Sequence, residues 1–339
     1  MCRLLLCALL LTPTSARAAD VTIVKSKDAV EFKAGDEVVS RYHVGPEVAK
    51  PFLFPILAPG GVPVTRGWPI DKSRKEDTTD HVHQKSAWFC HGDVIPEGVE
   101  LKVKTTERGG KGVDFWSESK DKDGNVRHGK MTCVFVGEPT QHSKTHASIL
   151  TRNEWKSPDG VKILDEDRVI HFHDLPEGRL FAFEITLKAS VCAITFGDTK
   201  EGSFGVRVHD AMRVAAKADG VLENAEGKAC VDAKSEALVW GQMSDWCDYH
   251  GTVDGKVVGI AVFDHPKNAA RAAWHARAYG LMAANPFGRT AAGFPSQKGK
   301  TELVKIEKGG ELKLKYGIYA HVSGVKTGKV AEAFEAFKK

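Results

Sequence analysis

The chain has 339 residues, with 48 Lys and Arg against 44 Asp and Glu, 42% hydrophobic residues and 27% charged residues. Its lysines are scattered among acids and the balance is close to neutral, so nucleic acid is not an expected partner. Beyond the first residues no apolar run approaches the roughly 20 residues of a membrane helix, so no membrane span is expected.

The chain opens with Arg3, an apolar run over residues 4–11 and the small-residue segment Ala16-Arg17-Ala18. This is the pattern of a secretory signal peptide, residues 1–19, and implies a periplasmic or secreted protein beginning near Ala19 or Asp20. Of seven cysteines, Cys2 and Cys7 lie in that leader, and Cys90, Cys133, Cys192, Cys230 and Cys247 remain. An oxidising compartment allows one disulfide, for which Cys230 and Cys247 are the most polar-flanked pair; the other three fit small core residues.

Period-two segments then follow at residues 21–24, 29–33, 37–42, 131–136, 146–155, 161–172, 179–188, 191–196, 204–209, 237–241, 257–263 and 311–321. Turn signals such as Asp123-Gly124, Pro158-Asp159-Gly160, Asp254-Gly255 and Gly309-Gly310 punctuate them. Many short strands joined by such turns predict an all-β fold, a large antiparallel β-sandwich formed by residues 20–339 as a single domain. Only residues 328–339 have helical spacing, with Val330, Phe334 and Phe337 on one stripe, and this predicts a short C-terminal helix.

Residues 80–93 are the densest in chemistry, holding three histidines, two acids and a tryptophan. On an extended backbone His81 and His83 point the same way, a spacing that serves a loop anchor, an acid–base site or a metal. The glutamate of a cupin-like set is missing, so no cofactor is expected and a metal on His81 and His83 is the weaker alternative. His142 with His146, and His171 with His173, read as strand residues at the surface. Trp88 and Trp274 could give a stacking surface, and Arg66, Arg207 and Arg277 could orient oxygens. His275 and Tyr279 flank Arg277, while Asn285 precedes Pro286 in a turn-forming block. No phosphate loop, dinucleotide fingerprint, HExxH or Gly-x-Ser-x-Gly elbow is present.

The blocks at residues 50–57, 63–66, 80–93, 196–207, 264–268, 274–280 and 285–288 resemble a family of exported bacterial proteins catalogued as methane oxygenase PmoA-like, abundant in planctomycete-type genomes. The membrane subunit behind that label needs several apolar helices that this chain lacks, so the label is not carried over as an activity. Size, strand count and the exported setting also resemble the supersandwich of galactose mutarotase-like proteins. That resemblance implies a saccharide or sugar derivative on a concave sheet, with Glu201 as base and one of His81, His83 or His275 as acid. Arg66, Trp88, His91, Arg207, Trp274, Arg277, Tyr279 and Asn285 would contact the substrate. An epimerase, lyase or hydrolase-like activity is the enzymatic form of this expectation. The alternatives are a non-catalytic glycan- or protein-binding module and a His-ligated metal enzyme.

Overall fold

The structure, a computed structural model, describes residues 18–103, 109–214 and 219–339. The signal peptide expected at residues 1–19 lies almost wholly outside them.

Alternation of apolar and polar side chains makes antiparallel ladders with one buried face. Strand Lys162–Leu175 shows it clearly, with Arg168, Ile170 and Phe172 buried and His171 and His173 turned outward. Among the described residues the first large sheet has nine strands. It runs Val21–Lys25, Ala29–Ala34, Glu37–His43, Phe52–Ala58, Ala87–His91, Gly202–Arg207, Leu281–Asn285 and Ala273–Arg277, with Val62–Pro63 paired to Phe52–Ala58. The second has ten strands. Its order is Ala229–Cys230, Val221–Asn224, Trp246–Val253, Lys256–Asp264, Glu311–Val322, Gly178–Lys188, Lys162–Leu175, His146–Lys156 and Lys130–Val136, with Thr140–Ser143 paired to His146–Lys156. Val304–Ile306, Ile194–Phe196 and Val94–Pro96 form a small third sheet.

The two large sheets pack face to face through aromatic rings. Phe32 of the first meets Phe172 and Phe181 of the second at 5.9 and 5.3 Å, and Phe204 meets Phe183 and Tyr316 at 5.0 and 4.9 Å. One ion pair is buried in this layer: Arg168 Nε donates to Glu166 Oε1 at 2.5 Å and Nη1 to the Tyr42 hydroxyl at 2.8 Å. Trp155 Nε1 donates to Glu166 Oε2 at 2.8 Å, so the two opposite charges are paired within the buried layer. Helix Val330–Phe337 closes the outer face of the second sheet, with Phe334 and Phe337 5.5 and 5.6 Å from Phe263. The all-β sandwich with a short C-terminal helix is therefore what this sequence builds.

Three local expectations are corrected. Residues 237–241 are not a strand; Ser235–Leu238 is a 3-10 helix whose Glu236 carboxylate accepts from Arg277 Nε and Ala278 N across the edge of the first sheet. Cys230 and Cys247 are unbridged, as are Cys90, Cys133 and Cys192. Strand Val221–Asn224 lies between the strands bearing Cys230 and Cys247, separating them by about two interstrand spacings, roughly 9–10 Å, beyond the reach of a disulfide. His81 is not on extended backbone: it has φ 47°, and Gln84 N donates to its carbonyl at 2.9 Å, making residues 81–84 a turn.

Candidate functional site

Four strands of the first sheet carry the site on the face turned away from the second sheet. Their register places Trp88, Gly205, Ala283 and His275 in one row. Small residues in the middle of that row leave room above the sheet. A Cβ on Gly205 would stand 2.8 Å from Cζ2 of Trp88, so only glycine lets the indole lie across the strand. Trp88 in turn supports Trp116, with ring centroids 5.1 Å apart. The Trp116 loop is fixed by Asp114 Oδ1, which accepts from Trp116 N at 2.7 Å and Ser117 N at 3.0 Å. From beneath, Lys50 Nζ donates to the Trp116 carbonyl at 2.9 Å.

The opposite wall is the turn at residues 81–84. Arg66 and Arg207, both with fully buried side chains, donate to Asp80 Oδ1 at 2.6 and 2.9 Å. Arg207 also donates to Gln84 Oε1 at 2.7 Å. Asp80 Oδ2 stands 2.8 Å from His81 Nδ1, and the His81 ring stacks on Tyr279 at 5.1 Å. The Arg207 guanidinium lies 4.8 Å from the same tyrosine ring. Asn285 shapes the third wall: its Nδ2 donates to the Thr199 and Lys200 carbonyls, which presents Lys200 and its ion-pair partner Glu201.

Together these walls enclose a cavity of about 400 Å³ lined by His81, His83, Gln84, Trp116, Ser117, Lys200, Glu201, His275, Arg277 and Tyr279. Burial would raise the Asp80 carboxyl, but Arg207, His81 and Arg66 overcome this and hold it at about 2. Burial pushes His83 down to about 3, helped by the Lys50 charge, and pushes His275 down to about 3, helped by Lys200 and Arg277. Both imidazoles are therefore neutral at physiological pH. Trp116 Nε1 and His275 Nδ1 are buried with no hydrogen-bond partner within the chain.

The structure thus brings His81, His83, Glu201, His275, Arg277 and Tyr279 to one cavity. It sets the other expected contacts elsewhere. Arg66 and Arg207 do not line the space; they act from behind it, through Asp80 and the 81–84 turn, and Arg207 also through Tyr279. Trp88 lies behind Trp116, and Trp274 is buried on the opposite side of its strand, with Nε1 donating to the Ser244 carbonyl at 3.0 Å. His91 is buried between Phe196 and Phe287, with Nε2 2.8 Å from the Gly197 carbonyl. Asn285 holds the loop rather than the cavity. Gln84, Trp116, Ser117 and Lys200 were missed; Asp114, an Asx-type turn former just before Trp116, is the sequence signal that could have found the loop.

A larger cavity of about 680 Å³, lined by Met243, Arg271, Arg289, Gln297 and Lys300 among others, holds no histidine. Its Arg271 is paired with Asp264 and Asp245, and Arg289 Nη1 donates to the Pro286 and Gly288 carbonyls. Chemistry rather than size therefore selects the smaller cavity. For a metal, the group of three ligand side chains that converges among the described residues is His142, His146 and His171, without His81 or His83. Among the described residues no helix is long and apolar enough to cross a membrane.

No curated protein matches the chain. Among solved structures it is similar to a galactose mutarotase related enzyme from Lactobacillus acidophilus, at 10% identity and a TM-score of 0.34, covering 89% of this chain and 98% of that one. A variant of a Glycoside Hydrolase Family 97 enzyme from Pseudoalteromonas sp. strain K8 is similar at 11% identity and TM-score 0.38, over 85% of this chain and 35% of that one. The alpha-galactosidase from Lactobacillus brevis gives 8% identity and TM-score 0.34, over 94% of this chain and 41% of that one. Likenesses this distant add nothing to the architecture already read from the strands. A family model, by contrast, matches residues 29–335, and the chain belongs to that family, a family of unknown function (DUF6807).

Proposed function

We propose that this is an exported carbohydrate-binding protein whose cavity between Trp116, Glu201 and the 81–84 turn holds a saccharide or sugar derivative. The observation that carries the reading is the polar lining itself: Trp116 and His275, whose Nε1 and Nδ1 are buried without a partner in the chain, stand with Glu201 and Arg277 around one cavity. Trp116 Nε1 needs an acceptor, Arg277 offers donors, and the Glu201 carboxylate needs a donor. Hydroxyl groups satisfy all of these because each both donates and accepts. An apolar ligand would leave the buried groups unpaired, at a penalty of about 1–3 kcal/mol each. The volume lies in the usual range for small-molecule sites.

In its catalytic form, Glu201 removes a proton and His81, oriented through Nδ1 by Asp80, delivers one, as an epimerase, lyase or hydrolase-like reaction requires. His83 and His275, neutral at physiological pH, accept or donate hydrogen bonds instead of supplying the acid. The Lys200 ion pair on Glu201 favours the second reading, a binding module without turnover, because it occupies the would-be base. The blocks resembling the methane oxygenase PmoA-like family supply His81, Glu201, His275 and Arg277 to this cavity and Asp80 behind it, and kinship with that family is part of the proposal.

The test is a glycan screen followed by calorimetry on the wild type, Trp116→Ala and His275→Ala. Each variant is expected to weaken binding about tenfold or more, in line with 1.4 kcal/mol per decade. A sugar bound equally well by both variants would remove the cavity from consideration. With a bound sugar identified, loss of turnover in Glu201→Gln with retained affinity separates the catalytic form from the binding form. Export is tested by sequencing the N-terminus of the secreted protein, expected at Ala19 or Asp20.

A further inference from the structure

The outer face of the second sheet, on the far side of the sandwich from the cavity, carries four histidines that meet. Strand pairing sets His146 directly opposite His173 and Ser148 opposite His171. His142 comes from the neighbouring edge strand, where Ser143 pairs with His146. The His142 and His146 rings lie 4.2 Å apart, those of His146 and His173 3.9 Å apart. His146 Nε2 and His171 Nδ1 are 3.0 Å from each other. One ligand atom from each of His142, His146 and His171 falls within 4.8 Å of the others.

We propose that His142, His146 and His171 bind a divalent transition ion of the zinc or copper class. Three imidazoles with neither carboxylate nor thiolate select borderline ions over calcium and magnesium, which require oxygen donors. Two nitrogens each about 2.0–2.1 Å from a tetrahedral zinc stand roughly 3.3 Å apart, close to the spacing of His146 and His171. His142 already has an orienting partner, its Nε2 lying 2.8 Å from Ser148 Oγ, and a ring turn exchanges which nitrogen faces the ion. Three protein ligands leave a fourth position for water. His173, stacked on His146, limits the freedom of that ring. The ion would join three strands, Thr140–Ser143, His146–Lys156 and Lys162–Leu175, and so pin the short edge strand to the sheet.

The test uses the untagged full chain, stripped with chelator and titrated calorimetrically with Zn2+, Cu2+ and, as negative controls, Mg2+ and Ca2+. One equivalent of Zn2+ or Cu2+ is expected, with none of the hard ions bound at comparable concentration. The His146→Gln/His171→Gln variant is expected to bind about a hundredfold more weakly or worse, and Ser148→Ala about tenfold more weakly. His81→Gln/His83→Gln is expected to bind as the wild type does. A measurement on the wild type alone guards against misfolded variants: the electron paramagnetic resonance spectrum of the Cu2+ form is expected to show coupling to imidazole nitrogens. Absence of saturable uptake, absence of nitrogen coupling, or uptake undiminished in His146→Gln/His171→Gln would overturn the proposal.

Discussion

The two outer faces of the sandwich both gather histidines, but they surround them differently. In the cavity the rings are set among other side chains: His81 lies against Tyr279 and Asp80 with the His83 ring 5.7 Å away, while His83 and His275 flank Trp116. On the second sheet the rings face one another across paired strands. Rings interleaved with a carboxylate, a tyrosine and a tryptophan present a varied set of polar atoms, which suits an organic molecule with several hydroxyls. Rings brought together present the same atom several times over, which suits a single ion. Residue type alone does not separate the two chemistries; what each ring touches does.

The faces also differ in how deeply they are wired into the fold, and substitutions can probe this. Asp80→Ala leaves the buried Arg66 and Arg207 without their shared carboxylate and is expected to destabilise the protein by about 3 kcal/mol, read as a lower urea midpoint. Gly205→Ala forces a methyl group against Trp88 and is expected to lose about 2 kcal/mol, together with affinity for the proposed sugar as Trp116 shifts. Acid acts on both faces, because burial also holds His146 and His173 of the second sheet down, to about 4 and about 3. His83 and His275 titrate near 3 when folded and near 6.5 when unfolded, so between those values the unfolded chain binds the extra protons. Stability is full above about pH 6.5 and falls as the pH drops toward 3; His275→Gln is expected to flatten that slope in pH-dependent melts. Asp80 adds its loss lower, between about pH 4 and 2, because its folded value is depressed. On the second sheet, His171→Gln in metal-free protein is expected to change stability by no more than about 0.5 kcal/mol, because the ring faces outward. A change as large as that of Asp80→Ala would erase the contrast between the faces. The smallest effect is expected from reductant: all five cysteines of residues 20–339 should be alkylated after denaturation without it, and the melting temperature should not move.

Much of the fold was legible because half-buried strands alternate. The run 161–172 shows this, as does the helical stripe of Val330, Phe334 and Phe337. Strands Ala87–His91, Ala273–Arg277 and Leu281–Asn285 carry no period-two signal because they are buried on both faces and do not alternate. They are three of the four strands that carry the cavity. The segments at 80–83, 201 and 275–279 could be singled out by chemistry, yet the choice of Trp274 as a platform ignored the strand's own period. If His275 and Arg277 sit on either side of Ala276, neighbouring Trp274 must face the other way. Trp116 lay in a stretch without period, and only tertiary folding brings it over Trp88. The meeting of His142, His146 and His171 depends on strand register, which two-residue spacing alone does not fix.

The grip of Arg66 and Arg207 on Asp80 bears on how the cavity would recognise anything at all. The turn carrying His81, His83 and Gln84 is fastened from behind, so its walls stand ready before a ligand arrives. Little chain entropy is left to lose on association, and affinity depends chiefly on how well the incoming molecule matches a fixed outline. Such a site would discriminate by rigidity: under the proposed function a closed pyranose ring would enter at small entropic loss, whereas an open-chain polyol with the same hydroxyls must first freeze its own torsions.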